Sequence, residues 1–215
     1  FVEVGTITPK PQYGNPKPRV FRLEEDEALI NRLGFNNSGS EEIRSRISKE
    51  NKKGILGINI GPNKDAENRI EDYINCFKKF HSLADYITVN ISSPNTENLR
   101  DFHKHDELSS LIKELKNEKV KLNSKIPIAI KVSPDLNDKQ IEVVSNILLD
   151  QDINIIIVSN TSDKNRDKLN NISKLEKGGL SGKPLYHISN DIISKFYKLL
   201  GNKIKIIGVG GVDSG

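Results

Sequence analysis

The sequence predicts an α/β fold in which parallel strands alternate with helices along the chain. Six short runs of apolar and β-branched residues recur, at 1–6, 54–60, 85–90, 126–132, 153–160 and 203–209. They are almost continuously hydrophobic, which is typical of strands that are covered on both faces. Strands of this kind are joined by right-handed crossovers, so the sequence predicts either a TIM-type barrel or an open, doubly wound sheet.

Helices are predicted between the strands, where apolar residues recur at three- and four-residue spacing among charged ones. Six segments fit that period, at 25–35, 40–50, 65–84, 105–121, 137–151 and 185–200. A stretch rich in Pro and Gly, at 8–22, is too long for a tight turn. We expect it to form an ordered excursion over the mouth of the barrel.

The positions of polar residues favour the barrel over the open sheet. Polar or glycine residues stand at or just past the carboxyl ends of the predicted strands, namely Asn59, Asn90, Lys131, Ser159, Asn160, Gly210 and Gly211. An open sheet gathers ligand contacts at one switch point, whereas a barrel draws them from many strand ends. We therefore predict an incomplete TIM-type (β/α)8 barrel with about six of its eight βα units visible.

The two ends of the sequence predict a domain that continues beyond them. There is no methionine, the first residues already form a predicted strand, and the last ones leave a strand without a following helix. We expect residues 1–215 to be a single barrel domain that is truncated at both ends. By this interpretation, the chain taken alone binds its ligands poorly and shows no turnover.

Composition excludes several classes of function. The 33 basic and 29 acidic residues are interleaved along the predicted helices, as is typical of solvated faces, and we expect no nucleic-acid partner. Cys76 is the only cysteine, which excludes an intrachain disulfide, and we expect it on the inner face of a helix. No apolar run approaches the roughly 20 residues that span a bilayer, so any anchor would lie upstream.

Two polar stretches are candidates for ligand binding. The loop after the strand at 85–90 carries Ser92, Ser93, Asn95 and Thr96 around Pro94, which stiffens it. On composition alone, an ordinary polar turn is the favoured explanation of this loop. The stretch NRLGFNN at 31–37 offers asparagine side chains that suit an amide or pyrimidine edge, and a helix C-cap is its alternative explanation.

Lys131 and two glycine-rich segments are weaker signals. Lys131 closes an apolar run, where its charge needs an anionic partner, and we expect a ligand to supply it; a snorkelling lysine is the alternative. The segments at 178–185 and 208–215 could expose backbone N–H groups to a phosphate, although neither fits a Walker A or GxGxxG pattern. His103 and His105 have no companion ligands in the sequence, so we predict no metal site.

Eight runs together carry a family resemblance that each of them alone would not. They are FVEVGTITPKPQYGNPKPRVFRL, NRLGFNN, GINIGPNKD, DYITVNISSPNTENLR, KVSPDLND, VSNTS, GGLSGKPL and IIGVGGVDSG. In this order, from the first residue to the last, they resemble the class 2, quinone-dependent dihydroorotate dehydrogenases.

The resemblance implies an FMN-containing barrel that oxidises (S)-dihydroorotate to orotate in pyrimidine synthesis and passes the electrons to a membrane quinone. It implies that hydride moves from substrate C6 to flavin N5 while a base removes the C5 proton. That base is a serine in class 2 enzymes, and Ser93 matches it; class 1 relatives have a cysteine there. The family suggests a proton relay through Thr96 and water near Phe35.

Further site residues are carried over from the resemblance, position by position. The implied FMN contacts are Thr6, Asn59, Asn90, Lys131, Ser159, Gly182 and Gly211. Ser159 departs from the threonine usual in the family but keeps a hydroxyl. The implied substrate contacts are Asn31, Arg32, Leu33, Gly34, Phe35, Asn90, Asn95, Asn160 and Thr161. Arg22 resembles an arginine of the quinone channel.

The resemblance also implies a location and leaves two alternatives. It implies association with a membrane surface through an upstream segment, at the cytoplasmic face of a bacterial inner membrane or at a mitochondrial inner membrane. One alternative is another FMN barrel that acts on a pyrimidine, although Ser93 stands where such an enzyme should have cysteine. The other is a barrel that only binds ligands and does not catalyse.

Overall fold

The computed structural model describes residues 1–50, 53–95 and 99–213. Its main sheet has six parallel strands in the order β1, β4, β5, β6, β7, β9. These strands are β1 (Val2–Ile7), β4 (Leu56–Ile60), β5 (Tyr86–Asn90), β6 (Ile128–Val132), β7 (Ile155–Val158) and β9 (Lys205–Gly208). Five of the six lie within the predicted runs and β1 extends one residue beyond the run at 1–6, so the strand predictions are confirmed.

Five helices connect or flank these strands within the described residues, at five of the six predicted positions. They are α1 (Ser40–Ile47), α2 (Arg69–Phe80), α3 (His105–Lys121), α4 (Asp138–Asp150) and α5 (Tyr186–Leu200). Local sequence fixes where two of them begin. The Asn68 side chain accepts a hydrogen bond from the Glu71 N–H, and Asn137 forms a capping box with Gln140.

The main sheet has two different faces. Its outer face and the helices form one large apolar core, to which β4, β5 and β6 contribute residues such as Ile58, Val89 and Ile130. The inner face holds a small apolar cluster around Tyr86, Ala129 and Ile157. Alternate residues along each strand point to this inner face. Toward the carboxyl ends of the strands, the residues that point inward are polar. This is the arrangement of a TIM-type barrel, represented by six strands.

The sequence prediction was wrong for 25–35, which is not a helix. After a short 3-10 turn, Glu27 adopts a left-handed conformation (φ 47°) and the chain enters β3 (Ala28–Asn31). This strand pairs antiparallel with β2 (Val20–Leu23) and with β8 (Gly179–Gly182). Leu23 and Ile30 are buried against Leu169 and Leu180. This burial stabilises the strands more than the helical spacing of apolar residues stabilises a helix, because local preference is weak in a short segment.

Two other predicted loops contribute to this small sheet. The excursion at 8–22 ends in β2, and Gln12 pairs with Asn37 through two backbone hydrogen bonds of 2.9 Å. The glycine-rich segment at 178–185, a candidate for phosphate binding in the sequence, contributes four residues to this sheet as β8. Gly178 and Gly182 have positive φ angles, and the lack of a side chain allows the turns on both sides of this strand.

Candidate functional site

A cleft of about 320 Å³ lies at the carboxyl ends of the main-sheet strands, beside the chain segment that follows β3. It is lined by Glu3, Gly5, Thr6, Asn31, Leu33, Gly34, Phe35, Asn36, Asn59, Asn90, Ser93, Asn95, Lys131, Asn160 and Thr161. Residues that are distant in sequence meet here because the carboxyl ends of parallel strands share one edge. Most of the residues singled out from the sequence are brought together in this cleft.

A chain of hydrogen bonds links the first strands of the sheet across the cleft. The Thr6 hydroxyl donates to Asn59 Oδ1 at 2.8 Å, and Asn90 Nδ2 donates to Thr6 Oγ1 at 2.9 Å. Both asparagine side chains are almost fully buried. A register irregularity in β1, between Val4 and Ile7, brings Thr6 into the cleft although it is an odd number of residues from Glu3.

Asn90 extends this chain toward β7 and anchors the loop that follows β5. Its Oδ1 accepts from the Ser92 hydroxyl at 3.1 Å and from Asn160 Nδ2 at 3.4 Å. Asn160 Nδ2 also lies 3.0 Å from Ser92 Oγ. From the helix side, the Tyr73 hydroxyl donates to the Asn90 carbonyl at 2.6 Å. The end of β5 is therefore held from both faces of the sheet.

Ser93 sits at the cleft wall with little exposure. Its side chain and backbone are 6% exposed, and its Oγ accepts a hydrogen bond from the Asn95 N–H at 3.2 Å. A hydroxyl that accepts a bond in this way still has its own proton to donate. Asn95 Nδ2 in turn donates to the Asn31 carbonyl at 3.0 Å, which joins this loop to the end of β3. Thr96 lies outside the described residues.

Phe35 and its neighbours form the opposite wall of the cleft. Phe35 has a left-handed backbone conformation (φ 54°), and its carbonyl accepts from Asn37 Nδ2 at 2.7 Å. Gln12 Nε2 donates to the Gly34 carbonyl at 2.8 Å. The stretch after β3 is thus held by the excursion at 8–22, and the alternative of a helix C-cap is wrong because a strand precedes it.

The anionic partner of Lys131 is a protein side chain, which corrects the expectation that a ligand would supply it. Lys131 Nζ lies 3.7 Å from Glu3 Oε1, and both side chains are about one-fifth exposed. Sequence reasoning missed Glu3. The signal was available, because Glu3 interrupts an apolar strand as Lys131 does, but only the sheet order shows that the two strands face each other across the barrel interior.

Comparison with known proteins identifies the family. The sequence model of the family described as "Dihydroorotate dehydrogenase" matches residues 1–215. The chain belongs to the dihydroorotate dehydrogenase family. A protein of Allorhizobium ampelinum named dihydroorotate dehydrogenase (quinone) is 47% identical over the whole chain, and one of Chromobacterium violaceum with the same name is 45% identical. The resemblance stated from the sequence runs is confirmed.

Solved structures of dihydroorotate dehydrogenase from Eimeria tenella share the fold. The ligand-free form superposes with a TM-score of 0.94 at 38% identity over 99% of the chain, and the ferulenol complex gives 0.94 at 36%. The chain spans 60% and 64% of the length of the two bacterial relatives, and 66% and 63% of the two solved chains. The TIM-type fold predicted from the sequence is confirmed.

Several residues implied by the dihydroorotate dehydrogenase resemblance do not line the cleft. Arg32 pairs with Glu176 at 2.5 Å and its guanidinium lies 4.5 Å from the centre of the Phe21 ring, and it is not among the residues that line the cleft. Arg22 is exposed on β2. Ser159 is buried, and its hydroxyl donates to the Asn160 carbonyl at 3.2 Å.

Gly182 and Gly211 also lie apart from the cleft. A Cβ at Gly182 would stand 2.5 Å from the Glu27 carbonyl oxygen, and one at Gly211 would stand 2.5 Å from the Tyr186 backbone nitrogen. Both glycines allow the backbone to approach closely, as packing alone would require. Their implied contact with FMN stays a prediction.

Within 1–50, 53–95 and 99–213, no three His, Cys, Asp or Glu side chains are grouped so that they could hold a metal ion. None of the helices in the part of the chain that the structure describes has the length and apolar character needed to cross a bilayer.

Proposed function

We propose that the protein containing this chain oxidises (S)-dihydroorotate to orotate, with FMN as cofactor and a quinone as electron acceptor. This is the fourth step of de novo pyrimidine synthesis. The observation that carries the proposal is the placement of Ser93 in one cleft with Lys131, Asn31, Asn95 and Asn160. The two bacterial relatives, whose names include this activity, support it.

The described residues fit a flavin. The cleft is concave, within the size range of small-molecule sites, and its polar groups are amides, hydroxyls, the Lys131 ammonium and the Glu3 carboxylate that pairs with it. Such a set suits a heterocycle whose edge alternates carbonyl oxygens and N–H groups. Thr6, Asn59, Asn90 and Lys131 would hold FMN from the strand ends, and the resemblance adds Ser159, Gly182 and Gly211. When bound, FMN supplies the two-electron acceptor.

The substrate is proposed to lie against the asparagine-rich wall. Asn31, Asn95 and Asn160 each offer a donor and an acceptor, and the amide groups of a dihydropyrimidine need both. Leu33, Gly34, Phe35 and Thr161 line the same part of the cleft. Arg32 was included by resemblance, but its pairing with Glu176 points to a role in holding this wall.

Ser93 is proposed to take up the C5 proton of the substrate. A serine hydroxyl is a weak base, so it needs a site that excludes water and a neighbour that receives its own proton. The low exposure of Ser93 supports the first condition. The family relay through Thr96 and water near Phe35 would meet the second. The class of FMN barrel with a cysteine base is disfavoured because the side chain here is a hydroxyl.

The remaining proposals concern the whole protein. We propose that residues 1–215 form one FMN-binding domain, that Arg22 lies near the quinone, and that the protein associates with a membrane surface through a segment outside this chain. The location would be the cytoplasmic face of a bacterial inner membrane, or the mitochondrial inner membrane in a eukaryote. The resemblance supports these proposals.

The test is an assay of dihydroorotate-dependent quinone reduction by the protein expressed from its complete reading frame. The preparation should show flavin absorbance. Ser93→Ala should retain its flavin and lose about a hundredfold or more in the rate of flavin reduction by dihydroorotate. Ser145→Ala is the matched variant: Ser145 is fully buried in α4 and its hydroxyl has no partner among the described residues, so its rate should stay unchanged.

The outcomes separate the alternatives. A preparation without flavin contradicts the proposed function and favours a barrel that only binds other ligands. Flavin that dihydroorotate does not reduce, but another pyrimidine does, favours a different pyrimidine oxidoreductase. Unchanged reduction in Ser93→Ala removes Ser93 from its proposed role.

A further inference from the structure

The Glu3 carboxylate collects contacts from three other strands inside the barrel. Its Oε1 accepts from Asn59 Nδ2 of β4 at 2.9 Å. Its Oε2 accepts from the Thr88 hydroxyl of β5 at 2.7 Å and from the Tyr86 hydroxyl at 3.2 Å. Lys131 of β6 approaches Oε1 to 3.7 Å. No other carboxylate lines the cleft within the described residues.

These contacts fix the direction of hydrogen bonds in the cleft. An ionised carboxylate only accepts hydrogen bonds, so Asn59 must turn its NH2 group toward Glu3 and its carbonyl oxygen toward Thr6. The Thr6 hydroxyl therefore donates to Asn59, and its lone pair is left to accept from Asn90 Nδ2. The Asn90 oxygen is then the acceptor for Ser92 and Asn160. Glu3, which can only accept hydrogen bonds, therefore sets the donor-to-acceptor direction along this whole series of hydrogen bonds.

The same carboxylate balances the charge of Lys131. The ammonium is about four-fifths buried on the inner face of the sheet, and an unpaired charge there would be costly. With Glu3 present the pair is neutral, whereas either residue alone leaves one net charge beside the cleft. Where water is excluded, a net charge acts strongly on a redox group bound nearby.

We propose that Glu3 is a positioning residue: by pairing with Lys131 and orienting Asn59, it sets the hydrogen-bond direction of the cleft and the reduction potential of the flavin bound there. The inference rests on the proposed function, because it requires FMN in the cleft. Glu3 need not touch the flavin. It acts through the Lys131 charge and through the amide orientation of Asn59.

The experiment measures the reduction potential of bound FMN in four proteins, each expressed from the complete reading frame. These are the wild type, Glu3→Gln, Lys131→Gln and the double variant. Glu3→Gln adds one net positive charge, so it should favour the reduced, more negative flavin about tenfold, which is a rise of about 30 mV for a two-electron couple. Lys131→Gln should lower the potential by a similar amount. The double variant, with both charges removed, should lie within threefold of the wild type.

If Glu3 were merely structural, the reduction potential would not shift in opposite directions in the two single variants and return to the wild-type value in the double variant. Thr88→Val is the matched variant, since it removes a hydrogen bond to Glu3 at 2.7 Å without changing any charge, and its potential should match the wild type. Shifts of the same sign in the two single variants, or a double variant further from the wild type than either, would overturn the proposal.

Folding failures are also informative. If Glu3→Gln does not fold but the double variant does, the unpaired Lys131 charge is the cause and the proposed pairing is supported. If neither folds, Glu3 is structural and the proposal fails. The proposed function fails separately, in a wild-type protein that holds no flavin.

Discussion

Arg100 Nη2 lies 3.1 Å from Asp135 Oδ2, and this ion pair joins the segment after β5 to the loop after β6. Arg100 Nη1 also lies 2.9 Å from Asp163 Oδ1, beyond the end of β7. Its Nε donates to the Ser92 carbonyl at 3.2 Å. One guanidinium thus connects three successive strand ends behind the wall that carries Ser93, and sequence analysis did not single it out.

We expect Arg100→Leu to destabilise the protein by about 2 kcal/mol, because the Asp135 side chain is 4% exposed and would be left without its cation. Burial already raises the Asp135 pKa, so the carboxylate would meet part of this cost by taking up a proton. Unfolding in urea measures the effect. Arg46→Leu, which breaks an exposed pair with Glu42, should cost less than about 0.5 kcal/mol. Equal losses in the two variants would contradict this account.

Gly179→Ala should disturb the cleft from the side of the small sheet. A Cβ at this position would stand 1.9 Å from Thr161 Oγ1 and 3.2 Å from Pro94 Cγ, so both neighbours must move. We expect a loss of about 1–3 kcal/mol in stability and about a tenfold rise in the KM for dihydroorotate. Gly201→Ala is the comparison: its Cβ has open space but its φ is 54°, so it should lose about 1 kcal/mol with KM unchanged. A KM that rises equally in both variants would show that the effect is general destabilisation.

His103 should make the protein less stable as the pH falls. Burial, together with the nearby Arg100 charge, lowers the pKa of His103 to about 4. Between about pH 6.5 and pH 4 the unfolded chain therefore binds a proton that the folded state does not, and the free energy of unfolding decreases with acidification. We expect a contribution of about 2 kcal/mol to this loss between pH 7.5 and pH 5. Urea unfolding at both pH values measures it.

The contribution is isolated by comparison with His103→Leu. Groups such as Asp72, whose pKa is raised mainly by burial, change the stability in the opposite sense but equally in both proteins. The variant should lose less stability than the wild type over the same pH interval. Parallel losses in the two proteins would mean that His103 is protonated in the folded state.

Cys76 should resist thiol reagents in the native protein. It is fully buried in α2, its Sγ lies 3.7 Å from the Ile7 carbonyl, and burial raises its pKa. Labelling must wait for opening of the core, so we expect it to be at least about a thousandfold slower than in urea. Val120→Cys in a Cys76→Ala background places a thiol at a position that is 79% exposed, and it should react at once. Rapid labelling of native Cys76 would show that α2 opens locally.

Much of the barrel could be predicted because each βα unit carries its own signal. Continuous apolar runs such as 153–160 indicate strands that are buried on both faces. In the helices between them, apolar residues recur with a clear helical period. The helix prediction for 25–35 was wrong because it also relied on a local signal. Its apolar spacing fits a helix, but its partners, β2 and β8, come from distant parts of the chain, and β8 itself looked like a loop.

The sequence predicted several of the residues that form the candidate site, but not the contacts between them. Asn59, Asn90 and Lys131 were found because polar residues at strand ends meet in any parallel barrel. The roles of Glu3 and Arg100 were missed, since each depends on contacts between strands or loops that are far apart in the sequence. Arg32 was expected to contact the substrate, and the structure pairs it with Glu176 outside the cleft lining. The expected place of Arg22 near a quinone stays a prediction.

By itself, the sequence determined the α/β class, the strand and helix positions of the main sheet, and the family to which the chain belongs, because these follow from local periodicity and from motifs read in order. Only the tertiary structure decided that Lys131 is paired with Glu3, that 28–31 is a strand, and which side chains share the cleft. The reason is physical. Hydrogen bonds and ion pairs between distant residues depend on distances that exist only after the chain has folded.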